Sequence, residues 1–367
     1  MLQGGVMDVA GPAAIMGGVP AQTVEWLLQH DNPAVAALTR RTLLGDADPD
    51  TSAELWARRN EYAPVEAILG AQLDDGSWIA PARDYAKYGG SLWQVHFLGE
   101  LWADGSDERV RRGADYAFSR QLADGSWSCS NMRPHASIPC LTANVARALA
   151  RLGFERDERI VRALAYIANI YAEYTFLACP PGGTTFTLNG YCHMLAPKVL
   201  LLLGAVPRTL WPPGAEELRD GAVGALRDKE VFRSLPEGAR EFGALVYAAP
   251  AAERPGMRER WLEEHGPLQY GDKPGWLRFG YPLSYNSDAL EALAALAGVG
   301  ERCSPTSKRR AVPAAGSRCG RSRCSTRSRE RLLGRKRRYL PSPMMYPSKY
   351  RTPCGMCTAR RASGPLR

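Results

Sequence analysis

The sequence predicts an all-α protein built from repeated helix pairs, and three observations carry that prediction. Apolar residues recur at helical spacing from Val24 to Ala297 with almost no strand signal between them. A seven-residue turn, QLDDGSW at 72–78, returns as QLADGSW at 121–127. Its flank returns as well, DERV at 107–110 becoming DERI at 157–160. Self-similarity at a period of about 50 residues marks a helical repeat, in which each unit buries its apolar face only against its neighbours.

The elements follow in order. Segments 24–28 and 35–44 are short helices expected on the outside of the repeats, the second opened by Asn32-Pro33. Helix then runs over 53–72, interrupted or restarted at Pro64. It delivers the first turn, whose Asp75-Gly76 pair lets the glycine take positive φ. Segments 91–102 and 108–121 are the next helices, joined by a polar ADGSD turn. The second turn leads into 141–152, with Gly153 as its C-terminal cap. RALARLG at 147–153 matches KVLLLLG at 198–204, so a third unit is visible. A loop at 174–183 stands where its turn is expected. The period weakens between Pro207 and Pro267, leaving helices near 215–226 and 257–264. A clear helix at 287–297 closes the series, preceded by the aromatic, glycine-rich GWLRFGYPLSY at 275–285.

Charge divides the 367-residue chain more sharply than hydrophobicity does. The net charge of +9 is the sum of +17 in residues 301–367 and −8 in the remainder. The expected organisation is therefore a disordered N-terminus over 1–20, a helical domain over 21–300 and a basic tail over 301–367. KRR at 308–310 and RKRR at 335–338 suit phosphate contacts. No aromatic-basic interleaving accompanies them, so nucleic acid is not an expected partner. A disordered basic extension and an out-of-frame translation are the other readings of the tail, and the abruptness of the change favours the last. No apolar run approaches the roughly 18 residues of a membrane span. The first 20 residues lack a basic start, so no secretory signal is expected and a cytoplasmic location follows by default.

The two QW-like turns resemble the QW motif of the terpenoid cyclase and protein prenyltransferase superfamily, over a repeat region of about 62–298. That resemblance implies an α/α toroid whose Gln caps a helix end while the Trp ring lies against its amide. It implies a squalene cyclase-like or prenyltransferase-like protein acting on an isoprenoid or terpenoid in a central apolar cavity. A non-catalytic binding or interaction protein on the same scaffold is the alternative, since a scaffold does not fix a chemistry.

In this superfamily the helices after QW turns line the inside and present their N-terminal ends to substrate. The inward candidates are Trp93, Gln94, Asn144, Tyr191, Phe279, Tyr281, Tyr285 and Asn286 as substrate-binding residues, with Phe97 among the aromatic lining. Ring faces there suit an isoprenoid chain, although each aromatic serves a core equally well. The DxDD acid of polyene cyclases is absent: Asp46, Asp48 and Asp50 are spaced DxDxD outside the repeats. Prenyltransferase β-subunits hold zinc through a DxC and a later His. Cys192 falls at the position of that Cys, Gly190 stands at the Asp, and His193 is adjacent. Cys140, Cys192, His193 and Asp288, all near expected helix starts, are the candidate ligands of one tetrahedral zinc ion. The competing reading makes the cysteines small buried hydrophobes.

Overall fold

Turn residues that cap helix ends set where the helices begin. The computed structural model describes residues 19–29, 31–86, 88–128, 137–174, 177, 194–233, 239–266, 271–280, 283 and 286–301. Helix α1 (Ala21–Gln29) leads into α2 (Pro33–Leu43), where Asn32 accepts the Val35 N–H at 3.2 Å. In α3 (Pro49–Ala57) Asp48 accepts the Thr51 N–H at 3.1 Å. Both α2 and α3 place proline in the first turn, where a missing N–H costs nothing. The helix expected over 53–72 is divided: one 3-10 turn at Arg59–Glu61 separates α3 from α4 (Ala63–Gly70), which restarts at Pro64.

Then come α5 (Ser91–Glu100), α6 (Glu108–Ser119), α7 (Pro139–Leu149) and α8 (Glu158–Tyr174). They are followed by α9 (Leu195–Ala205), α10 (Ala215–Asp228), α11 (Ala239–Ala248), α12 (Met257–His265) and α13 (Ala289–Gly298). Gly153 takes φ 100° just past α7, as a C-terminal cap requires. Among the described residues the β structure amounts to one isolated bridge, Ser128 to Ser137, so the fold is all-α.

The repeat helices form two layers. Helix α5 packs on α7, α7 on α9, and α9 on α13, while α6, α8 and α10 each pack behind α5, α7 and α9. Burial separates the layers. Every residue of α7 except Arg147 is buried, and α9 leaves only Leu201, Gly204 and Ala205 outside the core. The second layer buries one stripe, such as Ala215, Leu218, Ala222, Val223 and Leu226 of α10. At the α5/α7 crossing a Cβ on Gly99 would meet Ala148 Cα at 2.6 Å, so glycine sets how closely these backbones approach.

The two repeated turns are alike atom by atom. Gln72 Nε2 donates to Gly76 O (3.3 Å) and to Arg109 O of the next second-layer helix (2.9 Å). Gln121 Nε2 donates to Gly125 O (2.8 Å) and Arg159 O (2.8 Å). Trp78 Nε1 donates to Ile68 O at 2.6 Å and Trp127 Nε1 to Ala117 O at 2.8 Å. Gly76 and Gly125 have φ of 82° and 90°, and a Cβ on either would strike a backbone oxygen, that of Arg112 or Arg162. Each glutamine amide thus ties its turn to the next second-layer helix, while the indole N–H bonds back to the helix that the turn leaves.

At the N-terminal end, Arg59 bonds Asp104 at 2.8 Å and lies over Trp56, which meets Trp102 at 5.8 Å. Arg151 covers the Trp102 ring at 3.8 Å, so this stack fastens α3 to the repeats. Of the acidic residues at 46–50, Asp48 caps α3, Asp50 lies in its first turn, and Asp46 accepts the Ser52 hydroxyl. Helix α11, which the sequence pattern does not pick out, joins α12 in a satellite cluster of Ile170, Tyr174, Phe242 and Val246 with Trp261. The chain divides into two units, Met1–Cys303 and Ser304–Arg367. The expectations for residues 1–18 and for the tail beyond Glu301 fall outside the described residues. No helix among the described residues is long and apolar enough to cross a membrane.

Candidate functional site

Residues of four first-layer helices meet at a cavity of about 300 Å³. Its wall contains Glu100 of α5, Arg147 of α7, Leu201 of α9, and Leu290, Glu291 and Ala294 of α13. Phe279, Gly280, Leu283 and Asp288 complete it from the segment that precedes α13.

Four helices contribute charge, and the charges are paired. Glu100 Oε1 accepts a hydrogen bond from Arg147 and forms an ion pair with Arg151 at 3.3 Å. Burial works to raise the Glu100 carboxyl, but Arg147, Arg151, His96 and Lys198 outweigh it and hold the group below the ordinary carboxylate range. Lys198 is fully buried, and its ammonium donates to Glu291 at 3.1 and 3.3 Å and to Asn286 O at 3.0 Å. Asp288 caps α13 by accepting the Glu291 N–H at 2.8 Å, and its other oxygen accepts Gly280 N–H at 3.4 Å. Each carboxylate on the wall therefore already serves as an acceptor.

His96 lies one turn before Glu100 and is buried. Its Nε2 sits 2.8 Å from Leu283 O, so Nε2 carries the proton and donates to that carbonyl. Nδ1 has no hydrogen-bond partner among the described residues. Burial pushes the imidazole down to about 4; Glu100 and the Leu283 bond oppose the shift, while Arg147 and Lys198 add to it. A neutral His96 thus pins Leu283, a residue of the cavity wall, to α5.

Of the sequence candidates, Phe279 and Asp288 reach the cavity wall. Asn286 is beside it, its carbonyl held by Lys198. Trp93 is fully buried against Tyr85 and the edge of His96. Gln94 donates to Tyr88 O at 2.6 Å. Asn144 and Cys140 are buried in α7 away from the wall. Tyr191, Cys192, His193, Tyr281 and Tyr285 fall outside the described residues. Among the described residues no three His, Cys, Asp or Glu gather as a metal-binding group, and both Asp288 oxygens are occupied by backbone N–H groups. Cys192 and His193, two of the four expected zinc ligands, lie outside the described residues.

Sequence reasoning missed Glu100, Arg147, Lys198, Glu291 and His96. A signal existed for two of them: Lys198 in LAPKVLLLLGA and Glu291 in ALEALAALAG are lone charges in otherwise apolar helices. Such charges stay buried only when paired.

No family model matches the chain, and no solved structure matches it. The chain is 30% identical over 114 residues to lanosterol synthase ERG7 of Saccharomyces cerevisiae, a match covering 30% of this chain and 13% of that enzyme. It is 29% identical over 131 residues to enfumafungin synthase efuA of Hormonema carpetanum, covering 35% of this chain and 9% of that protein. The chain spans far less than two thirds of either relative. Both are triterpene cyclases, and the similarity supports a cyclase-like scaffold.

Proposed function

We propose that this chain is a squalene cyclase-like and prenyltransferase-like α/α toroid protein that holds a short isoprenoid or terpenoid in the cavity between α5, α7, α9 and α13. The observation that carries the reading is that four interior helices each place side chains on one partly apolar space: Glu100 of α5, Arg147 of α7, Leu201 of α9, and Leu290 and Ala294 of α13. At about 300 Å³ the cavity is at the small end of the roughly 300–1,000 Å³ range of small-molecule pockets, which favours a short chain over a triterpene. The partial similarity to triterpene cyclases supports the same scaffold.

Binding without catalysis is the reading favoured by the wall chemistry. Starting a polyene cyclisation takes a carboxylic acid that holds its proton. Glu100 is held ionised by its cations, and Asp288 and Glu291 are committed to a cap and an ion pair. The test is equilibrium binding of farnesol to the full chain beside an Ala294→Trp variant, which fills the space from an exposed position on α13. Saturable binding by the parent that the variant loses at least about tenfold supports the proposal. Equal binding by both would remove the cavity as the site.

A further inference from the structure

We infer that the cavity selects an isoprenoid ending in a neutral hydrogen-bond donor, an alcohol, and rejects the corresponding diphosphate. This rests on the isoprenoid reading of the cavity and specifies its ligand.

The wall carries three carboxylates, Glu100, Asp288 and Glu291, against a single cation, Arg147. Cations just behind it are already matched: Arg151 meets Glu100 at 3.3 Å, and Lys198 meets Glu291 at 3.1 Å. A diphosphate needs several cations free of counter-charge, and here Arg147, Arg151 and Lys198 are each already neutralised by a carboxylate with which it would have to compete in a partly desolvated space. Like charge next to Glu100, Asp288 and Glu291 would oppose it further.

Glu100 supplies the positive half of the selection. Its Oε1 accepts from Arg147 and forms an ion pair with Arg151 at 3.3 Å, whereas its Oε2 accepts no hydrogen bond from any described residue. An ionised oxygen on a cavity wall takes a donor, which a hydroxyl provides, and a hydroxyl oxygen can in turn accept from the Arg147 guanidinium. An ammonium end group gains less. Arg147, Arg151 and Lys198 share this corner, and Arg147 and Lys198 already help to keep a proton off His96.

The experiment compares three ligands with one carbon chain and different ends: farnesol, farnesyl diphosphate and farnesene, each titrated into the full-length protein near pH 7. Farnesol is expected to bind at least about tenfold tighter than either, the factor that one hydrogen bond to a charged group contributes. Glu100→Gln should shrink the preference for farnesol over farnesene to about threefold or less. Diphosphate binding as tight as farnesol, or farnesene equal to farnesol, overturns the end-group assignment while leaving an isoprenoid cavity in place. Failure of all three ligands to bind removes the isoprenoid reading and this inference with it. Because the ligand series is read on the unaltered protein, a misfolded variant does not blur the outcome.

Discussion

Two tryptophans in equivalent turns do unequal work. Trp127 is fully buried and its indole N–H is satisfied by Ala117 O, so Trp127→Ala should lower unfolding free energy by about 3–5 kcal/mol. Trp78 makes the same bond to Ile68 O from a half-buried position and should cost less when replaced. Chemical denaturation of both variants checks the order; a Trp127→Ala loss below about 1 kcal/mol would show that the repeated turn does not hold the helix pairs together. These residues were legible in the sequence because the turn is a local object. Asp75 and Asp124 each fold back on the serine two residues on, at 3.0 and 2.9 Å to its N–H, and chemistry at that range repeats wherever the letters repeat.

At the scale of helices, α9 and α13 are joined by a buried ion pair, Lys198 to Glu291. Removing one partner strands the other charge, so Lys198→Met should cost about 3–5 kcal/mol. Pairing it with Glu291→Leu should recover most of that loss. A double variant no more stable than the single one would show that the pair is not the fastening between these helices. Helix α5 carries the pH response. His96 is pushed down to about 4, while an unfolded histidine titrates near 6.5, so the unfolded chain binds the proton more readily between those values. Stability is thus complete above about pH 6.5 and declines as pH falls toward 4, by up to about 3 kcal/mol from this residue. Glu100 has a lowered value, so its contribution is complete above the ordinary glutamate range and is lost as pH falls from there through that lowered value. Unfolding curves from pH 7 to 4 should show a shallower decline in His96→Gln than in the parent, and identical declines would contradict the assignment. Helices with long apolar periods, such as α7 and α9, were visible in the sequence. Helix α11 was not, because only Phe242 and Val246 of it join a small cluster with Tyr174 while Leu245 stays exposed. The start of α3 was also hidden, because its Asp48-Pro49 cap reads as a polar loop.

For the molecule as a whole, the all-α class was written in the repeat, whereas the cavity was not. Its polar wall depends on pairs far apart in sequence: Glu100 with Arg147, Lys198 with Glu291, and His96 with Leu283, the last 187 residues apart. Periodicity places each of these residues on a helix face but says nothing about which faces meet. The residue types that suggest chemistry, Trp93 and Cys140, instead went into the core, where large rings and small thiols pack well. What unites the repeat, the interior helices and the paired charges is a cavity that opens between α5, α7, α9 and α13, proposed above to hold a ligand. The most direct test is the crystal structure of the full chain grown with a brominated farnesol analogue. An anomalous bromine peak among Leu201, Phe279 and Ala294, with the hydroxyl toward Glu100, is the expected result. A cavity closed by side chains, or bromine located only elsewhere on the protein, would contradict it.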